Sequence, residues 1–351
     1  MKSPFFVAVL LFITITALNG QSLGYQNAIP SGRSQHASTY DSGAACVLIF
    51  GGEKHYKNKI PSPLKVDNAL WSWDLKRWTR LSDDGPGIRN DAKMVYHEKN
   101  KKTYLLGGRI YDSLGKPIVL DEFWEWSGNS WKLLPKASTP GKFLHTNIVF
   151  DSDRNKIVLF GGIKAGQGFS NELWEWDGTH WNHRDVEFAP TPRIAHGMVY
   201  SKACKKTLIL GGVNEKGEIQ PEMWSWDGKK FELMDSLMPE LEPGPGNAVG
   251  LEEKSGFKIL LAGRLTSLTG IKSIDSSKHQ IDTWIWDGRI WERLNFTIAP
   301  SLREYHSMAY DHKHKTVIFF GGGGREESGY DNPNDVWLFE NRKWKLVSNY
   351  K

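Results

Sequence analysis

The sequence predicts an all-β fold, a six-bladed β-propeller of four-stranded antiparallel blades, and three observations carry that expectation. An apolar run ending in glycine recurs as VLIFGG (47–52), TYLLGG (103–108), IVLFGG (157–162), TLILGG (207–212), ILLAG (259–263) and VIFFGG (317–322). An aromatic segment follows each: LWSWD (70–74), FWEWS (123–127), LWEWD (173–177), MWSWD (223–227), TWIWD (283–287) and VWLFE (336–340). Two intervals never vary. Eleven residues separate Tyr40, Tyr96, Phe150, Tyr200, Leu251 and Tyr310 from Gly51, Gly107, Gly161, Gly211, Ala262 and Gly321. Seven separate Trp71, Trp124, Trp174, Trp224, Trp284 and Trp337 from Trp78, Trp131, Trp181, Phe231, Trp291 and Trp344.

Taken in order, each repeat reads as four strands. Strand A ends at the opening aromatic (Leu251 in repeat five), and strand B is the apolar run. Strand C is the aromatic segment, and strand D begins at the closing aromatic. All are short, rich in β-branched or aromatic residues and bounded by turn residues. DSDRNK (151–156) and DGTH (177–180) are hairpin chemistry, with Asp caps and residues that tolerate positive φ. A sheet apolar on both faces cannot stand alone in water, but sheets ringed around an axis cover one another. The chain has 16 tryptophans, and each fills a wide gap between sheets because it buries roughly 150–250 Å². The blades fall at about 33–82, 89–135, 143–185, 193–235, 244–295 and 303–348, within a propeller spanning 33–351. Segment 21–32 precedes the ring, and the pattern leaves open whether it joins the last blade.

The glycine pair, the Asn/Asp-x-aromatic entry to strand C (NELWEWD, NDVWLFE) and the closing tryptophan resemble the kelch repeat. The version here is similar to that of the galactose oxidase central-domain superfamily over about 33–348. The resemblance implies the fold, while function varies widely on this fold and must be argued from sites. Repeat five departs from the pattern: Leu261-Ala262-Gly263 replaces the glycine pair and Gly244-Pro245-Gly246 the opening motif, so that blade is expected to be distorted. A galactose-oxidase-like copper site would need a cysteine crosslinked to tyrosine beside His and Tyr ligands. Cys46 aligns with Lys156 and Cys204 falls in an A–B turn, so the copper site is not expected, nor is any other cofactor. The two cysteines belong to opposite blades and are expected as free thiols, since a bridge needs Cα atoms within about 7 Å.

Lys2 followed by the fourteen apolar residues Phe5–Leu18 reads as a secretory signal peptide, cleaved near Gly20. The run is shorter than the roughly 20 residues of a membrane span, and no cysteine follows it to serve a lipid anchor. The expected protein is therefore secreted or periplasmic, monomeric and without a membrane span. A mixed net charge of +5 carries no long basic run, so nucleic acid is not an expected partner. An extracellular protein or glycan is.

The tight hairpins leave room for function chiefly in the B–C loops, where glycine to tryptophan takes 20, 17, 13, 13, 22 and 16 residues in turn. The long loops 53–69, 109–121, 264–282 and 323–335 share a face with the D–A crossovers, and recognition usually evolves on such loops. Residues that break the repeat are the sharper candidates: Arg109, Arg264 and Arg325 follow the glycines in three repeats only, and Glu326 lies beside Arg325. A second group opens strand A. Arg33, Arg89, Arg193 and Arg303 stand seven residues before the opening tyrosine, and His36, His196 and His306 stand four before it. Repeat three carries Lys142 and His145 one position out of step, and repeat five has Gly244 and Asn247. Two readings are open for this group. These arginines and histidines, Arg193, His196, Arg303 and His306 among them, could form a ring of cations around the channel mouth that holds a carboxylate or an acidic sugar, or they could bond crossover carbonyls in every blade. Recurrence favours the second.

No His-x-Glu-x-x-His, Cys-x-x-Cys or Gly-x-Ser-x-Gly motif occurs. His312 and His314 fall in an A–B turn on the opposite face, where a surface turn is the simpler reading than a metal pair. With no catalytic residue to assign, the first expectation is a binding module for a protein or glycan on the B–C and D–A loop face. An exported epimerase- or mutarotase-like enzyme with its site at the channel mouth is the alternative, and an extracellular structural scaffold is a third.

Overall fold

The computed structural model describes residues 28–54, 66–136, 139–234, 248–253, 256–263, 279–326 and 329–348. The expected leader, Gly244, Asn247 and Arg264 lie outside these residues. Among the described residues every regular element is a strand, and the sheets are antiparallel: five of four strands, one of five, one of three and one of two.

The third repeat shows how the sequence builds a sheet. Strands Asn147–Asp151, Lys156–Phe160, Leu173–Trp176 and Trp181–His183 pair in that spatial order. Asp151 Oδ1 accepts the Arg154 amide at 2.9 Å and Asn155 turns the chain at φ 56°, which closes the first hairpin. Asp177 does the same for the second, accepting the Thr179 and His180 amides at 2.9 Å beside Gly178 at φ 106°. The glycine pair is required by crowding as well as conformation. Gly161 and Gly162 adopt φ 65° and 96°, and a Cβ on Gly162 would stand 2.6 Å from the Leu144 carbonyl oxygen.

Side chains of successive sheets fuse into shared cores. Val158, Phe160 and Leu173 pack with Met198, Ile209 and Trp226 of the next sheet. The last sheet packs on the first in the same way: Ile318, Phe320 and Leu338 meet Val47, Ile49 and Trp73, with Ala28 and Ile29 laid against them. The innermost strands close a circuit. Ala37–Asp41 touches Lys93–His97, then follow Asn147–Asp151, Gly197–Ser201, Ala248–Glu253 and Glu304–Asp311, which returns to Ala37–Asp41. The chain is a β-propeller, and Ala28 and Ile29 pack against the core that its last and first sheets share.

Three sequence expectations change in detail. Loop 109–121 is largely a hairpin, Arg109–Tyr111 with Pro117–Val119, because Asp112 caps its turn and Gly115 supplies φ 76°. Loop 323–335 begins as a continuation of strand Thr316–Glu326, which returns through Gly329–Asp331. The fifth repeat, expected to be distorted, pairs in unbroken register from Ala248↔Leu261 to Glu253↔Gly256.

Candidate functional site

The recurring arginines are bound into the scaffold. Arg33, Arg89, Arg193 and Arg303 each donate Nη1 to the carbonyl of the first glycine after strand B, at 3.1, 3.1, 2.9 and 3.4 Å. Each also donates Nε to the carbonyl two residues back, at 3.0, 3.0, 3.0 and 3.2 Å. A carboxylate before strand C completes the set: Asp67, Glu122, Glu222 and Asp335 respectively. Burial depresses the pKa of Arg33, Arg89 and Arg193, and these carboxylates oppose it. In the third sheet Phe143 takes the arginine's place and Lys164 supplies the cation, with Nζ 2.7 Å from Glu172 Oε1 and 5.8 Å from the Phe143 ring centre. Arg193 and Arg303, at 0% and 2% exposure, therefore face the scaffold and not the solvent.

The histidines four before the opening tyrosine rivet neighbouring sheets. His36 Nε2 lies 2.7 Å from Ser307 Oγ, and His306 Nε2 lies 3.1 Å from the Ala262 carbonyl oxygen. The His196 ring meets Phe160 edge-on, with centroids 5.5 Å apart. Burial, reinforced by the arginine three residues earlier, pushes all three pKa values down to about 3, so the rings are neutral at physiological pH. His36 and His306 line the channel mouth; His196 is not among its lining residues.

The repeat breaks one residue earlier. Gln35, Asp91, His145, Ala195 and Tyr305 all hold φ between 53° and 57°, a left-handed conformation that non-glycine residues adopt at a cost of about 1–2 kcal/mol. They occupy one position of the repeat, each with a different side chain, around the end of the channel. A chain of bonds links four of them. The Gln35 amide donates to Tyr305 O at 3.2 Å, the Asp91 amide to Gln35 O at 2.9 Å, and the His145 amide to Asp91 Oδ2 at 2.6 Å.

Inside this rim lies a cavity of about 140 Å³ whose walls include Gln35, Asp91, Lys93, Asn147 and Tyr305. Lys93 Nζ donates to Asp91 Oδ1 at 3.1 Å, and His145 Nδ1 stands 3.4 Å from Asp91 Oδ2. Burial alone would raise the Asp91 pKa, but Lys93 and His145 hold it below the ordinary value, so the carboxylate is ionised. Burial lowers the His145 pKa against the pull of Asp91, which leaves the imidazole neutral at physiological pH. The corresponding positions to Lys93 carry Ala37, Asn147, Gly197 and Ser307. One ammonium thus stands among small or neutral residues.

Arg109, the sequence candidate in the second repeat, adjoins this rim. It donates Nε to Asn90 Oδ1 at 2.8 Å and Nη2 to Gln35 Oε1 at 3.0 Å. The same two amides donate to Glu53, from Gln35 at 2.8 Å and from Asn90 by a shorter bond. Arg109 and Glu53 are thereby bridged through neutral groups rather than paired directly. Arg325 and Glu326 lie on the last sheet's extended strand, opposite Tyr330 and Gly329 in register. The structure therefore brings Arg109 to Gln35 at the mouth, with His36 and His306 on its wall, and turns Arg193 and Arg303 inward. Sequence reading missed Asp91, Lys93, Tyr305 and Glu53; the visible clue was His145, out of step with its repeat.

Among the described residues no group of three His, Cys, Asp or Glu side chains could hold a metal. His314 Nδ1 lies 2.6 Å from Asp311 Oδ2, and the His312 ring meets Tyr310 edge-on and Tyr40 at a tilt on the opposite face. Cys46 is buried and Cys204 exposed, both free. No described helix is long and apolar enough to cross a membrane.

No family model matches the sequence, and no curated protein matches it. The fold recurs among solved structures. One titled "Structure of YjhT" superposes with a TM-score of 0.65, over 91% of this chain and 98% of that one, at 15% identity. At that identity the likeness speaks for the fold alone.

Proposed function

We propose that the protein is an exported, six-bladed kelch-type propeller that serves as a binding module, taking a glycan at the channel mouth on its B–C and D–A loop face. The observation that carries this reading is the break in symmetry at the left-handed position. The scaffold repeats its arginines and glycines from blade to blade, yet it varies the side chains at Gln35, Asp91, His145, Ala195 and Tyr305. Ionised Asp91 accepts hydroxyl hydrogen bonds, Lys93 donates them, and Tyr305 offers a ring beside them, which together suit a sugar's polar edge and apolar face. Arg109 and the exposed hairpin around it extend the contact surface. The closed circuit of inner strands and the glycine and tryptophan spacings support the blade count and the kelch assignment. The apolar run at 5–18 supports export.

A glycan array on the mature chain, followed by titration of the best ligand, tests the reading. Arg109→Ala is expected to weaken that ligand at least tenfold with the melting temperature little changed, and Lys93→Met to weaken it at least tenfold in a folded but less stable protein, because it takes the ammonium from the buried Asp91 carboxylate. An array with no ligand, or affinities indifferent to both changes, would overturn it and favour a scaffold. The second reading, a sugar-active enzyme, draws on the Asp91–His145 contact of 3.4 Å, an acid–base pair of which Asp91 lines the mouth. It predicts turnover of the bound sugar that His145→Gln abolishes.

A further inference from the structure

The A–B turns, at the end of the channel opposite the mouth, carry a charge pattern that glycan binding does not use. We propose that this face docks the protein on a planar anionic surface, a bilayer rich in acidic phospholipid headgroups, and leaves the mouth turned away from it. Five of the turns share one rim, since Ser42, Glu98, Ser152, Lys202 and His312 all line that end of the channel. Residues 254–255 of the remaining turn lie outside the described residues. Alternate repeats differ. The second, fourth and sixth each expose two lysines: Lys99 and Lys101, Lys202 and Lys205, Lys313 and Lys315. The first turn carries Ser42, Gly43 and Ala44 instead, and the third sets Asp153 beside half-buried Arg154 and Lys156. In these five turns Asp153 is the one exposed carboxylate.

Turn chemistry produces the imbalance. In the first, third and sixth repeats the cap is a buried aspartate: Asp41, Asp151 and Asp311 accept the amides of Gly43, Arg154 and Lys313, each at 2.9 Å. In the second and fourth the cap is uncharged. His97 Nδ1 accepts the Asn100 amide at 3.2 Å, and Ser201 Oγ accepts the Cys204 amide at 3.3 Å. Those two turns keep their lysines without a capping anion. Lys101, Lys205 and Lys315 hold φ of 53°, 56° and 59°, where the other turns place Ala45 and Asn155. Left-handed backbone suits glycine or asparagine, so lysine gains nothing there from its local fold. Pairing removes little of the charge. Lys202 meets Glu98 at 3.1 Å and Lys205 meets Asp153 at 3.5 Å, both exposed pairs of the weak kind. Among the described residues no carboxylate bridges the other four lysines. The inner strands that carry these turns stand in a ring, so the three lysine pairs surround the axis rather than follow a line. A flat array of headgroups meets all three at once, whereas a strand-like polyanion crosses two. Each lysine near an anionic leaflet adds attraction, screened by salt over about 10 Å at 0.1 M.

The test is cosedimentation of the protein with vesicles of phosphatidylcholine and phosphatidylglycerol in equal parts, against phosphatidylcholine alone. Binding is expected to the mixed vesicles only, with release as sodium chloride rises. Lys99→Gln with Lys101→Gln, and separately Lys313→Gln with Lys315→Gln, are each expected to weaken it about fivefold or more at an unchanged melting temperature. Lys216→Gln, on a B–C loop of the opposite face, is expected to leave it unchanged. Equal binding to both kinds of vesicle, binding to neither, or a loss as large for Lys216→Gln overturns the proposal. Capture by soluble heparin without vesicle binding also overturns it, in favour of an acidic polysaccharide. None of these outcomes bears on glycan affinity at the mouth, which stands or falls separately.

Discussion

Arg303 and Arg109 show one side-chain chemistry put to two uses. Arg303 is buried and holds Asp335 by two bonds of 2.6 and 3.1 Å, so removing its guanidinium strands a carboxylate at 12% side-chain exposure. Arg303→Met is expected to cost about 3–5 kcal/mol of unfolding free energy, as for other broken buried pairs. Arg109→Ala, which loses bonds only to neutral amides, is expected to cost under about 1 kcal/mol. Chemical denaturation of both variants checks the contrast, and equal losses would contradict it. The buried histidines set a pH response. His36, His196 and His306 titrate near 3 when folded against an ordinary value of 6.5. Between those limits the unfolded chain binds more protons, so stability is complete above about pH 6.5 and falls as pH drops toward 3. Melting temperatures from pH 7.5 to 4 are expected to decline, and His196→Phe is expected to flatten the slope. A slope identical to the parent's would show that this ring does not contribute.

At the scale of elements, strands were legible wherever the pattern combined a period with a fixed interval. The two invariant spacings located strands A to D of every blade, because each hairpin turn admits one length. Trp226 illustrates what the spacing secures: it is 1% exposed, packs on the Phe231 ring at 5.0 Å and donates Nε1 to Glu175 of the previous sheet at 2.8 Å. Trp226→Ala is expected to cost about 3–5 kcal/mol, and a loss below about 1 kcal/mol would remove it from the core. The extension of the last sheet through Gly323 and Gly324 was not legible, since a run of glycines carries no strand signal of its own. The site was only half legible for a related reason. Arg109 broke the repeat in composition, whereas Asp91, Lys93 and Tyr305 stand out only once backbone geometry shows that their positions face one channel.

At the scale of the whole molecule, sheets too apolar to face water cover each other in a ring, and the ring's axis becomes the place where differences between repeats meet. Identical positions from every blade converge there, so a single substitution such as lysine at 93 acts on all of them. Ala28 and Ile29, packed on the core that the last and first sheets share, add apolar contact at the one junction that chain connectivity does not secure. The most direct measurement is a crystal structure of the protein grown with its best array glycan. The account predicts six blades and sugar density within hydrogen-bond reach of Asp91 and Lys93. Five or seven blades, or a ligand seated on the outer rim with the mouth unoccupied, would contradict it.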